Sequence, residues 1–92
     1  MMFEAVKRAL RITHSLLDDE ISDLIGAARQ DLIQSGVSDL KAESEDDPLI
    51  KRAIITYSKA HFGMANVDSE KYQKSYDMLK NHLALAGDYN VQ

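Results

Sequence analysis

The stretch DPLIKRAIITYSKAHFGM, residues 47–64, decides the fold. Asp47 followed by Pro48 is a helix-start signal. The acid can accept from the free N–H groups of a first turn, and proline at the first helical position gives up no hydrogen bond. Beyond that start, Leu49, Ile50, Ala53, Ile54, Tyr57, Ala60 and Met64 share one wide face when each residue advances by roughly 100°. Ile55 and Phe62, seven apart, lie on a different face. A helix that is apolar on more than one side belongs at the centre of a bundle, so this one is expected to run from Pro48 to about Met64 with neighbours on two sides.

Toward the N-terminus, Leu17, Ile21, Leu24, Ile25, Ala28 and Leu32 fall within an arc of about 100° and predict a second amphipathic helix. Asp18, Asp19 and Glu20 crowd its first turn, where the helix dipole favours negative charge. Ser15 followed by Asp18 suggests its cap, and Gly36 stands where a C-terminal cap belongs. A shorter helix precedes it, with Phe3, Val6 and Leu10 at i, i+3 and i+7, and Ile12-Thr13-His14-Ser15 breaks the pattern. Toward the C-terminus, Asn66-Val67-Asp68 predicts a turn with Asp68 as cap. Ser69 to Ala86 then carries Tyr72, Tyr76, Leu79, Leu83 and Ala86 in a narrow stripe. No alternating β-branched run or hairpin turn is present. The expected class is therefore all-α, a small bundle of about four helices in one domain over residues 1–92. Residues 37–47, VSDLKAESEDD, have no sustained period and are expected to be an exposed acidic loop, and residues 88–92 a flexible tail.

Composition narrows the functional classes. A balance of 45% hydrophobic and 28% charged residues is that of a globular domain. A chain of this length buries only about 60–65% of its unfolded surface, so association with other chains is a natural source of further burial. No apolar run approaches the roughly 18–20 residues of a membrane span, and no secretory leader pattern opens the chain. With no cysteine there is no disulfide framework, thiolate nucleophile or cysteine metal site. The chain reads as an intracellular protein.

Catalytic and cofactor patterns are missing. The four glycines, at 26, 36, 63 and 87, form no phosphate loop, and the histidines at 14, 61 and 82 sit on three separate segments. His61 extends the apolar stripe of the central helix and is expected to be a satisfied, partly buried histidine rather than a ligand. His14, Ser15 and Asp18 are too close in sequence to make a triad, whose members normally come from distant segments. The acidic run at 43–47 lacks the ligand spacing and glycine of a calcium loop. Tyr72 and Tyr76 sit on a core stripe, which favours packing over base stacking. Nothing here is expected to bind a metal or cofactor or to catalyse a reaction.

Two features point to assembly. Ile33, Ile55, Phe62, Met78 and Leu85 lie off the principal stripes. Some can pack on the short first helix, and the others form an exposed patch, the usual mark of a partner surface and here a candidate subunit interface. The charge is also split. Residues 1–47 hold eleven acids and five bases, a net of −6, whereas residues 48–92 hold four acids and six bases, a net of +2. Two solvated faces explain such a split, and so does an acidic side of one subunit meeting the basic side of the next.

The same segments resemble a known family. LDDEISDLIGAARQDL at 17–32, DPLIKRAIITYSKAHFG at 47–63 and SEKYQKSYDMLKNHL at 69–83 are similar to the phage head–tail connectors, the neck adaptor and DNA-packaging proteins of tailed phages and prophages. The most specific portion is the Asp-Pro-Leu-Ile-Lys-x-Ala-Ile opening of the third helix with the Tyr-x-x-x-Tyr-x-x-Leu-Lys helix after it. The resemblance covers about residues 3–86. It implies a structural virion protein without catalysis, made in the host cytoplasm and residing in the virion neck. Such a protein forms a homo-oligomeric ring under the portal protein, from subunits that can be monomeric in solution. The ring extends the DNA channel after packaging and docks the next neck or tail completion protein. No individual functional residue carries over. On this reading Lys51, Arg52, Lys59, Lys71, Lys74 and Lys80 are candidates to line the channel, touching DNA only through phosphates. The 37–47 loop and the 88–92 tail are the segments to test for contacts with portal, neighbour or neck protein. The alternative is a small prophage-encoded helical DNA-binding or regulatory protein, which would present a basic recognition helix to a major groove.

Overall fold

A computed structural model describes residues 2–62 and 68–91. Among these, the regular elements are all helices: α1 (Met2–Ala9), α2 (Asp18–Gln34), α3 (Asp39–Ala42), α4 (Pro48–His61) and α5 (Ser69–Leu85). The all-α expectation holds, with one short turn of helix more than the sequence pattern suggested.

The start of α4 follows from Asp47-Pro48. The Asp47 carboxylate accepts from the backbone N–H groups of Leu49 and Ile50 at 2.9 and 3.2 Å. Ile50, Ala53, Ile54 and Ser58 are buried, and the Ser58 hydroxyl is satisfied by donating to the Ile54 carbonyl at 2.8 Å. α4 packs on α5, α2 and α1, the central position its two apolar faces require. It ends at His61, because Phe62 takes an extended conformation. The expected extension to Met64 and the turn at Asn66-Val67 lie outside the described residues. Asp68 does stand at the N-terminal boundary of α5, but its side chain makes no capping bond there.

α2 buries Ile21, Ile25, Ala28 and Leu32, the middle of the predicted stripe. It closes through Gly36, whose φ of 113° is the left-handed conformation a helix exit favours. The Gly36 and Val37 amides donate to the Ile33 and Leu32 carbonyls. The Ser15 cap is not formed. α2 begins at Asp18 without a side-chain cap, and Ser15 contributes only its carbonyl to the Asp18 amide. α1 lays Met2 and Val6 into the core and is fixed from both ends. Lys7 pairs with Asp18 at 2.8 Å, and the Met2 amide donates to Glu45 at 2.7 Å.

Two expectations about irregular segments need correction. Residues 37–47 are not simply an exposed loop. Val37 and Ala42 are fully buried, and Ser38 caps the one-turn helix α3 by accepting from the Lys41 amide. The segment has too few apolar residues to show a period, yet two suffice to anchor it. Nor are residues 88–91 a loose tail. Asn90 forms an antiparallel bridge with Val37, the Ser38 amide donates to the Tyr89 carbonyl at 2.8 Å, and the Val91 amide donates to the Gly36 carbonyl at 2.9 Å. The Tyr89 hydroxyl reaches the Asp47 carboxylate at 2.9 Å.

Candidate functional site

The candidate interface residues divide between core and surface. Ile33 and Ile55 are half-buried and pack against the core cluster. Phe62 is half-buried beside Leu10 and Tyr72. Only Met78 and Leu85 stand out from the molecule, 74% and 83% exposed. They are seven residues apart on α5, on the side turned away from buried Tyr76 and Leu83. Periodicity placed all five off the main stripes, but it could not tell which of them the neighbouring helices would cover.

The six candidate channel bases also divide. Lys51, Arg52 and Lys59 of α4 line an open groove with Ile55, Tyr72 and Ser75, and the Lys59 ammonium lies 5.5 Å from the Tyr72 ring centre. Lys71 and Lys74 line the adjoining concavity beside Met78. Among the described residues, none of these five forms an ion pair. Lys80 is different: it donates to Asp31 at 3.1 Å and stands 3.8 Å from Asp77, with its ammonium over the Tyr76 ring. It belongs to a structural node rather than a free surface, which the sequence could not reveal because Asp31 is 49 residues away.

That node joins α2 to α5. Tyr76, fully buried, donates its hydroxyl to the same Asp31 oxygen at 2.6 Å and meets Tyr57 edge-on at 5.1 Å. Burial works against the Asp31 charge, but the hydrogen bonds from Tyr76 and Lys80 outweigh it and hold the carboxyl below its ordinary range. Burial, reinforced by the Asp31 bond, pushes the Tyr76 hydroxyl far up, so it remains a donor. Core packing of Tyr76 is thus as expected, while Tyr72 is half-buried in the groove wall. His61 departs from expectation: it is exposed and leans its ring on Tyr57 at 4.3 Å, because the core closes one turn earlier at Ser58.

The acidic run is partly committed inside the subunit. The Met2 amide and Arg29, which donates at 2.8 Å, hold Glu45 below its ordinary range. At Asp47 burial opposes ionisation, and the Ile50 and Leu49 amides with the Tyr89 hydroxyl overcome it. Asp39 and Glu43 remain exposed beside Leu40, itself 84% exposed, and Asp46 is exposed as well.

Sequence reading missed two surface features. Leu16 and Leu40 are strongly exposed. Arg11, with the left-handed φ of 61°, reaches the edge of the α4–α5 groove beside Lys59 and Tyr72. Isolated leucines carry no periodic signal, and an arginine is not the residue by which such a turn is recognised.

Among the described residues, no group of three or more His, Cys, Asp or Glu side chains is placed to hold a metal ion, and no helix is long and apolar enough to cross a membrane. A family model described as phage connector protein matches residues 2–90. No curated protein and no solved structure gives a match.

Proposed function

Since the chain belongs to the phage connector protein family, we propose that it is a structural subunit of the phage neck, assembling as a ring under the portal to extend the DNA channel and dock the next neck or tail component. The family match across nearly the whole chain is the observation that carries this reading. Its partners are copies of itself, the portal protein and a neck or tail completion protein. It does no chemistry and needs no cofactor.

The unpaired bases of α4 support a channel role. Lys51, Arg52 and Lys59 face a groove rather than an acid, and they are the proposed contacts to packaged DNA. Such contacts would be to phosphates, weaken steeply with salt and ignore base sequence. Lys80 drops out of the set, because its charge is already matched by Asp31. The end of the molecule where the tail is laced to residues 36–38 carries exposed Leu40 and Val91 and is the proposed contact to portal or neck protein.

The regulator alternative needs a basic helix free to enter a major groove. The most basic candidate, α4, instead buries Ile50, Ala53, Ile54 and Ser58 against three other helices and holds its bases in the wall of a groove it shares with α5.

The test is co-sedimentation with the cognate portal ring. The protein should migrate with the portal as a stoichiometric multiple, while mixtures with duplex DNA should show only weak, salt-sensitive binding without sequence preference. Tight sequence-selective DNA binding, with no portal association, would replace this reading by the regulator.

A further inference from the structure

Among the described residues, the outer face of α5 has no partner within the subunit. Lys71, Lys74, Met78 and Leu85 recur at i, i+3, i+7 and i+14, inside an arc of about 60°, and all four are exposed. Two large exposed apolar side chains on one helix face, preceded by two bases without an ion pair among the described residues, make a surface that asks for an acidic and sterically open counterpart.

The outer face of α2 has that character. Asp19, Asp23 and Gly26 lie at i, i+4 and i+7, directly opposite the buried Ile21, Ile25, Ala28 and Leu32, and both aspartates are exposed without an ion pair among the described residues. Gly26 is the unexplained residue. Glycine inside a helix costs about 0.5–1 kcal/mol relative to alanine. Yet a Cβ placed on Gly26 would meet nothing within 4 Å, so nothing inside the subunit requires glycine there.

We propose that the outer face of α5 in one copy docks on the outer face of α2 in the next, with Lys71 and Lys74 against Asp19 and Asp23 and Met78 seated on Gly26. The inference rests on the ring reading above and names the contact that builds the ring. Geometry within one subunit supports this register. Asp31 meets Tyr76 and Lys80, and Gly36 lies against Ala84. At their C-terminal ends α2 and α5 therefore stand level, a residue there lying beside the α5 residue about 48 positions later. The proposed pairs are about 51 or 52 positions apart. The two offsets differ by only three or four residues, roughly 5 Å of helix rise, so successive copies stand nearly level. A head-to-tail contact with little rise closes into a ring, whereas one with a large rise climbs into a filament.

The chain contains no cysteine, which makes the contact directly testable. Asp23→Cys and Lys74→Cys combined in one chain, oxidised on the cognate portal ring, should yield a ladder of disulfide-linked multimers beyond the dimer. Each single variant should stop at dimers, and Asp23→Cys combined with Arg52→Cys should give no ladder. Gly26→Ala, added to the first pair, should raise the thermal stability of the subunit and lower multimer yield about tenfold, as the loss of one well-packed anchor does. An absent ladder, or equal ladders from both pairs, overturns the proposed contact. An unchanged yield with Gly26→Ala overturns the seating of Met78. If the double variant gives no ladder but the wild-type chain still adds a ring to the portal, only the interface is wrong. If neither ladder nor ring appears, the ring reading falls with it.

Discussion

At Arg11 the backbone adopts φ 61°, a conformation that costs a residue with a Cβ roughly 1–2 kcal/mol. The turn is the same helix exit as at Gly36: the Arg11 amide donates to the Arg8 carbonyl, and the Ile12 amide donates to the Lys7 carbonyl. Gly36 was legible as a cap because glycine announces that conformation. Arg11 was not, because nothing in its chemistry does. Arg11→Gly should therefore stabilise the subunit by about 1 kcal/mol, seen as a higher urea midpoint at unchanged slope. Unchanged or lower stability would mean that the arginine side chain makes up the difference. At Asp31 the gain is electrostatic. Asp31, Glu45 and Asp47 are all held below their ordinary range in the fold, so the unfolded chain binds more protons than the folded one in acid. Stability should be fully present above their unfolded values near 4 and be lost as pH falls through the lower folded values. Asp31→Asn keeps the shape of the side chain and should flatten that acid limb in a pH series of thermal melts. A limb of unchanged steepness would remove Asp31 as a contributor.

At the scale of elements, α1, α2, α4 and α5 were readable and the one-turn α3 was not. Seventeen residues of α2 repeat their apolar spacing several times, whereas α3 spans four residues and depends on Val37, Ala42 and a Ser38 cap. The tail was unreadable for a related reason: Tyr89 and Val91 are held by backbone bonds to Ser38 and Gly36, more than fifty positions earlier. Asp47 is where these elements meet, capping α4 and accepting from Tyr89. Asp47→Ala should cost about 1–2 kcal/mol through the lost cap. It should also speed hydrogen exchange at the Ser38 and Val91 amides, because the Tyr89 tether is lost. Tyr89→Phe separates the two effects: exchange at those amides should rise while the start of α4 stays protected. Equal fraying of α4 in both variants would show that the tail and the cap act as one unit.

For the whole molecule, composition and periodicity located the core but not the surfaces. Ile33 and Ile55 are half-buried against the core, Ile55 also lining the open groove, and Lys80 is paired with Asp31. Met78 and Leu85 stayed exposed, and the bases of α4 line an open groove without an ion pair among the described residues. Those distinctions depend on contacts between distant segments, which a pattern within one helix does not contain. What remains is a subunit with exposed acids on α2, exposed bases and apolar side chains on α5, a basic groove, and residues 89–91 laced to residues 36–38. The most direct test is electron microscopy of the cognate portal before and after addition of the purified chain. The account predicts one additional ring of density coaxial with the portal, its subunits standing side by side around an open channel. A portal unchanged at saturating protein, or density bound at its outer rim without closing around the axis, would contradict it.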